Sequence, residues 1–144
     1  MPLIDLAKPA IHFDKISDIL VKERLKIELK PKSIDCLYID NGLLTLVEFK
    51  NTISINKKID DIKMKIHDTL LLLNYLYHFD DSDFRLIEIV IVRKKAPVAS
   101  NQKSSRHLMK LAESSCPPRL KFLQKAYRIK ISSMNQDEYS NRIG

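Results

Sequence analysis

Residues 33–51 read Ser-Ile-Asp-Cys-Leu-Tyr-Ile-Asp-Asn-Gly-Leu-Leu-Thr-Leu-Val-Glu-Phe-Lys-Asn, a pattern typical of two short β-strands joined by a tight turn. The turn falls at Asn41 and Gly42, because a two-residue type I′ turn needs positive φ at both central positions and Asn-Gly tolerates this well. A loop of two residues also fixes the strand pairing, so that Ile39 lies opposite Leu44. The stretch therefore predicts an antiparallel hairpin around which the rest of the chain is organised.

Two acidic side chains and a lysine meet at the open end of this predicted hairpin. Continuing the pairing places Asp35 opposite Glu48, and the alternation of side chains along a strand brings Lys50 to the same face. The other positions of that face are apolar and predict core: Leu37, Ile39, Leu44 and Leu46. Like charges opposite each other destabilise a sheet, and charges that extend a buried face are costly unless they are paired or bound. A cation between the carboxylates would remove that penalty, whereas a solvated strand edge would carry the Glu-x-Lys triplet without any function.

The segment before the hairpin predicts a helix followed by a strand. Apolar residues at spacings of three and four predict a helix over 12–23, which ends at Glu23 on or beside the apolar stripe. A glutamate in that position is also common as a solvated residue at a helix end. The period changes to two between Leu25 and Lys30, which predicts a half-buried strand that ends at Pro31.

The segment after the hairpin predicts a long helix and a buried strand. Residues 86–92 are apolar apart from Glu88, which is typical of a strand inside a parallel sheet. The helix spans 57–79, and its buried stripe is Ile59, Ile62, Ile66, Leu70, Leu73 and Tyr77. Farther along, the sequence predicts a short helix over 105–115, weak helicity over 119–125, an edge strand over 126–132 and a polar tail that frays after Met134.

Length, composition and charge limit the classes of protein to which the chain can belong. A length of 144 residues fits a single domain, and a hydrophobic fraction of 44% suffices for a core. The net charge of +7 favours association with a polyanion. Neither a secretory signal nor an apolar run long enough to span a membrane is present, and Cys36 and Cys116 lack a paired spacing. We therefore expect a protein of the reducing cytoplasm, with Cys36 as a small core residue.

Most other catalytic chemistries lack their sequence signatures. The four histidines are scattered and Cys-x-x-Cys is absent, so no zinc spacing competes. A Gly-rich phosphate loop is excluded because Gly42 and Gly144 are the only glycines. Mg²⁺, by contrast, takes oxygen ligands and is usually held by one or two carboxylates with water and substrate phosphates. Asp35 and Glu48 can supply such carboxylates, and the backbone carbonyl of Phe49 can add an oxygen.

The predicted order of elements, with an acid on the second strand and Glu-x-Lys on the third, resembles the PD-(D/E)xK nuclease superfamily. The resemblance covers about residues 12–94, with 95–144 as a C-terminal addition of a helix and an edge strand. It implies an α/β, restriction-endonuclease-like αβββαβ core, in which helices flank a mixed central sheet. The chain departs from the family pattern at one position, because Ile34 rather than proline precedes Asp35.

The resemblance also implies a cofactor, an activity and site residues. In that family the aspartate and the glutamate hold Mg²⁺ or Mn²⁺, and the lysine contacts the attacked phosphate or its water. These roles carry over to Asp35, Glu48 and Lys50, with Glu23 as the candidate for a further ligand from the first helix. The implied activity is hydrolysis of phosphodiester bonds, in DNA rather than RNA by family habit. Small nucleases of this kind can also act as homodimers.

Basic residues near the open end of the hairpin are the candidate contacts to nucleic acid. They are Lys63, Lys65, Arg93, Lys94 and Lys95. Two alternatives remain open: a non-catalytic nucleic-acid-binding module on the same fold, and a protein-interaction domain in which the acids and the lysine form a structural ion cluster. Metal-dependent cleavage distinguishes the enzyme from the binding module, and salt-dependent binding of nucleic acid distinguishes that module from the interaction domain.

Overall fold

Four β-strands form one mixed sheet in the computed structural model of the chain, which describes residues 11–26, 28, 31–78, 85–95 and 116–143. The strands neighbour each other in chain order, the first pair antiparallel and the two following pairs parallel. The predicted α/β class with a mixed sheet is therefore confirmed. The strands are β1 (Cys36–Asp40), β2 (Leu43–Phe49), β3 (Ile87–Arg93) and β4 (Lys130–Asn135).

Helices cover both faces of this sheet. The described helices are α1 (Phe13–Leu20), α2 (Ile59–Tyr77), α3 (Lys121–Tyr127) and α4 (Gln136–Ile143). A π-helical turn, Val21–Leu25, continues α1, and short 3₁₀ turns, Asn56–Lys58 and Pro118–Leu120, precede α2 and α3. The main core lies between α2 and one face of the sheet, and a second apolar cluster lies beneath α4 on the other face. Five members of the predicted α2 stripe are buried: Ile59, Ile62, Ile66, Leu70 and Leu73. The side chain of Tyr77 lies outside the described parts.

The predicted hairpin is confirmed in both its turn and its pairing. Asn41 and Gly42 both have positive φ, 51° and 78°, and Ile39 pairs with Leu44. The prediction that Ile39 belongs to the core is wrong, because Ile39 is 71% exposed. It lies beside the turn on β1, which is an edge strand of the described sheet.

The predicted strand over 25–30 is wrong at its beginning. Leu25 closes the π-helical turn, and Lys26 has a left-handed backbone with φ of 58°, which ends the helical segment. Leu25 packs on a small cluster with Val21, four residues earlier, and this spacing fits a helix as well as the alternation fits a strand. Glu28 has no strand geometry, and the other residues of the predicted strand, 27, 29 and 30, lie outside the described residues.

The predicted buried strand is confirmed as β3. All seven of its residues are buried, and it has a parallel neighbour on each side. Cys36 is likewise buried as predicted, and both cysteines are free. No described helix is long and apolar enough to cross a membrane.

The C-terminal part departs most from the prediction. The strand predicted over 126–132 begins later, as β4, because Tyr127 still belongs to α3. The prediction of a frayed tail after Met134 is wrong: α4 follows β4 directly and its Tyr139 is fully buried. The short helix predicted over 105–115 lies outside the described residues.

Candidate active site

The hairpin register brings the predicted acidic residues to one end of the sheet. Asp35 directly precedes β1, and its Oδ2 accepts a hydrogen bond from the backbone N–H of Phe49 at 2.8 Å. Glu48 is the penultimate residue of β2 and is only 1% exposed. Lys50 follows the strand, and its Nζ lies 2.9 Å from Glu48 Oε1. The pairing of two strands therefore places all three side chains close together.

Glu48 is buried, and only one of its two carboxylate oxygens has hydrogen-bonding partners. Its Oε1 lies 2.6 Å from Nζ of Lys65 and 2.9 Å from Nζ of Lys50, whereas its buried Oε2 has no hydrogen-bond partner in the described structure. Burial, reinforced by the charge of Asp35, raises the pKa of Glu48, although both lysines oppose the rise. A buried carboxylate oxygen without a partner is costly, and it is available to a ligand.

Helix α2 contributes two further charged groups, which lie one helical turn apart. Lys65 Nζ reaches Glu48 and also lies 3.7 Å from Asp35 Oδ1. Asp61 Oδ2 accepts a hydrogen bond from Lys50 Nζ at 2.7 Å. That hydrogen bond lowers the pKa of Asp61 despite the opposing effect of burial. Burial opposes the charged form of Lys50, but Asp61 and Glu48 together raise its pKa.

These groups form a continuous ion cluster of three carboxylates and two ammonium groups. The order of contacts is Asp35, Lys65, Glu48, Lys50, Asp61. Lys32, exposed at the edge of this cluster, adds a third ammonium group 3.3 Å from Asp61 Oδ1, so the charges balance when every group is ionised.

The structure does not bring Glu23 into this cluster. Glu23 is exposed on the π-helical turn, and the buried residue of that turn, Val21, packs against Leu72 of α2. Leu72 lies about 16 Å along the helix axis from Asp61, at a rise of about 1.5 Å per residue. The first helical segment therefore runs away from the carboxylates before it reaches Glu23.

The five basic residues predicted to contact nucleic acid lie in different environments. Lys65 is inside the ion cluster rather than on an open surface, and Arg93 is buried, with its guanidinium donating to the carbonyl of Ile53. Lys63 is half-buried on α2, and Lys94 is exposed. Lys95 is exposed and lies 2.6 Å from a carboxylate oxygen of Asp137.

Sequence reasoning placed Lys65 near the open end of the hairpin but assigned it to phosphate rather than to Glu48, and it missed Asp61 altogether. The spacing of four residues between Asp61 and Lys65 puts them on one side of a helix, which is a usable signal. The same helix begins amid several other charged residues, however, so the spacing alone does not select this pair. The selection comes from the way α2 packs on the sheet, with Ile62 and Ile66 facing the core.

The donor set fits a hard divalent cation. Groups of three or more His, Cys, Asp or Glu side chains that could hold a metal ion are absent from the described residues. Mg²⁺ and Mn²⁺ do not need such a group, because Mg²⁺ commonly takes one or two carboxylates and completes its shell with water and phosphate oxygens. Asp35 Oδ1, the unpartnered Glu48 Oε2 and the carbonyl of Phe49 are the oxygens that could hold it.

Comparison with protein-family models, with curated proteins and with solved structures finds no match to this chain. The function must therefore be inferred from the chemistry of its own side chains.

The raised pKa of Glu48 predicts how stability depends on pH. A carboxyl group whose pKa is higher in the folded state than its usual 4.5 keeps its proton longer in that state, so stability falls as the pH rises through this window. Glu48→Gln removes the titration. We expect the free energy of unfolding of the wild type, relative to Glu48→Gln, to decrease as the pH rises above 4.5. Urea titrations of both proteins between about pH 4.5 and 8 measure this difference.

The shifted pKa values of Asp61 and Lys50 affect stability only outside the pH range of this measurement. The lowered pKa of Asp61 gives a contribution that is lost only as the pH falls below 3.8, and the raised pKa of Lys50 gives one that is lost only above 10.5. A difference that stays constant or grows with pH would contradict the prediction.

Proposed function

We propose that the chain is a metal-dependent nuclease that hydrolyses phosphodiester bonds on a restriction-endonuclease-like fold. The observation that carries the proposal is the buried, unpartnered Oε2 of Glu48 at the hairpin end where Asp35 and Lys50 also lie. An antiparallel hairpin continued by two parallel strands is compatible with such a core. Asp35 and Glu48 would hold Mg²⁺ or Mn²⁺, with the carbonyl of Phe49 as a further ligand.

A bound divalent metal would lower the pKa of a water molecule and neutralise negative charge on the attacked phosphate. Lys50 has a different role, because an ammonium group cannot ligate a cation. Its contacts with Glu48 and Asp61 fix Nζ beside the proposed metal ligands, where it can donate hydrogen bonds to the attacking water or to a phosphate oxygen. Asp61 is then a positioning residue, which acts on the reaction only through Lys50.

Nucleic acid is the partner that fits this chemistry and the net charge of +7. The preference for DNA rests on the family resemblance. Of the predicted basic contacts, the exposed Lys94 is the best candidate to bind phosphate, and the exposed Lys95 would have to leave Asp137 to do so. Arg93 is a weaker candidate, since its guanidinium is engaged with a backbone carbonyl.

One observation favours the second candidate, a structural ion cluster in a binding or interaction domain. Lys50 and Lys65 already pair with Glu48, so the buried carboxylate is partly compensated without any metal. If the cluster is only structural, the wild-type protein, with Asp35 and Glu48 unchanged, would neither bind metal nor cleave nucleic acid.

Metal titration tests the proposal directly. We expect Mn²⁺ to bind to the wild type, and Asp35→Asn to weaken binding by about tenfold or more, since even groups around the ligands typically contribute 10–100-fold to metal affinity. Isothermal titration calorimetry measures both affinities. Asp60→Asn is the matched control, because Asp60 is exposed on the first turn of α2 and pairs with Arg119 instead of with the cluster.

Cleavage of supercoiled, linear and single-stranded DNA, and of single-stranded RNA, is measured in parallel with Mg²⁺, Mn²⁺ or a chelator. Equal Mn²⁺ binding by the wild type and Asp35→Asn would rule out the proposed site. Salt-dependent DNA binding without cleavage under any metal would support the binding module instead.

A further inference from the structure

Lys65 occupies the space between the two proposed metal ligands. Its Nζ lies 2.6 Å from Glu48 Oε1 and 3.7 Å from Asp35 Oδ1, so one ammonium group faces both carboxylates. Lys50 contacts only one of the two, and its other partner is Asp61. Lys65 therefore compensates the same pair of charges that a bound cation would compensate.

The carboxylate oxygens of Asp35 and Glu48 that could bind a metal lie too close to the Lys65 ammonium group to hold both cations at once. Asp35 Oδ2 is already used by the N–H of Phe49, which leaves Oδ1, the oxygen that faces Lys65. A Mg²⁺ ion needs its oxygen ligands at about 2.0–2.1 Å. An ion bound to both Asp35 Oδ1 and Glu48 would thus lie within a few ångströms of Lys65 Nζ, where two positive charges repel because Glu48 is buried and the Lys65 side chain is only 20% exposed.

We propose that the Lys65 ammonium group is a built-in competitor for the cation position between Asp35 and Glu48, so that a divalent metal binds only by displacing it. The inference rests on the proposed function, since it concerns the same site. It explains how a buried carboxylate is tolerated before metal binds, because Lys65 supplies a countercharge in the meantime. Metal affinity is then lower than two carboxylates alone would give.

Lys65→Met tests the competition, with Lys63→Met as the matched control. Lys63 lies on the same helix, about 200° around its axis from Lys65, and makes no ion pair with Asp35 or Glu48 among the described contacts. We expect Lys65→Met to bind Mn²⁺ about tenfold more tightly than the wild type or more, since close charge pairs typically contribute at least that factor. Lys63→Met removes the same charge and should change the affinity much less.

A second measurement uses the wild type and does not depend on the folding of a variant. Lysine ammonium groups held in ion pairs can be followed by ¹⁵N NMR of Nζ, and Mg²⁺ is diamagnetic. We expect the Nζ resonance of Lys65 to shift as Mg²⁺ is added, while that of Lys63 stays in place. Loss of the signal in Lys65→Met provides the assignment.

The outcomes separate this inference from the proposed function. If the wild type binds Mn²⁺ but Lys65→Met binds no more tightly than Lys63→Met, the competition is ruled out and the metal site stands. An unchanged Lys65 resonance at saturating Mg²⁺ would also overturn it, because the metal would then bind with the ion pair intact. If no protein binds metal, both the competition and the metal site fail. Binding by Lys65→Met alone would support the competition and contradict metal-dependent activity in the native chain.

Discussion

Replacing Lys50 by methionine is expected to lower the rate of metal-dependent cleavage by about 10²–10³, the usual cost of losing one preorganised contact to the transition state. Methionine keeps much of the length and apolar volume of the lysine stem and removes the ammonium group. Because that group holds no metal, Mn²⁺ affinity should not fall with the rate. Single-turnover cleavage, with calorimetric metal titration of the same protein, measures both quantities.

The fold should survive this substitution, because the partners of Lys50 keep other contacts. Glu48 retains Lys65 at 2.6 Å, and Asp61 retains the exposed Lys32 at 3.3 Å. Circular dichroism and a urea titration check this expectation. Lys22→Met is the control for loss of one positive charge, since Lys22 is exposed on the π-helical turn. Cleavage by Lys50→Met at the wild-type rate would mean that the Glu-Phe-Lys triplet has no catalytic role.

The Lys50 experiment also separates the enzyme from the structural ion cluster. In a structural cluster, removing Lys50 changes stability and leaves no metal-dependent rate to lose. In the proposed enzyme, the rate falls while metal affinity and fold remain. Asp61→Asn should have a smaller effect on the cleavage rate than Lys50→Met, because it weakens the contact that positions Lys50 but leaves the ammonium group in place.

The hairpin and its acids could be predicted because their determinants are local. A type I′ turn depends on two adjacent residues, and the alternation of side chains then fixes every pair in the ladder. The burial of β3 was predictable for a similar reason, since its apolar run admits few other structures. Leu25 shows the limit of such patterns, because a single apolar residue can match a helical spacing and a strand alternation at once.

The remainder of the site depends on contacts that are distant in sequence. Lys65 and Asp61 join the cluster because α2 crosses the end of the hairpin, and nothing local distinguishes Lys65 from Lys63 as the inward-facing lysine. The buried Glu88 of β3 is a second example on the opposite face of the sheet. Its carboxylate pairs with Arg142, 54 residues later, and lies 3.7 Å from Lys130. The polar sequence of the C-terminal segment did not indicate that it would form a helix covering this face of the sheet.

Replacing Tyr139 by alanine is expected to lower the free energy of unfolding by about 3–5 kcal/mol, the range typical of deleting a large buried aromatic side chain. Tyr139 is fully buried in the second apolar cluster, and its ring meets Phe49 edge to face, with ring centroids 6.1 Å apart. Ser140→Ala is the control, because Ser140 is exposed on the same helix and should change stability by no more than about 0.5 kcal/mol. Urea unfolding followed by circular dichroism compares the two variants.

The same measurement tests how much α4 contributes to the stability of the fold. Tyr139 joins α4 to β1, β2, β3 and β4 through one cluster, and Arg142 adds an ion pair to Glu88 from the last turn of the helix. Phe49, which the ring of Tyr139 contacts, lies between Glu48 and Lys50 and points to the opposite face of the sheet. Loss of Tyr139 should therefore also loosen the backbone beneath the candidate site and reduce metal affinity. A stability loss below about 1 kcal/mol, close to that of an ordinary surface substitution, would contradict the expected contribution of α4 to stability.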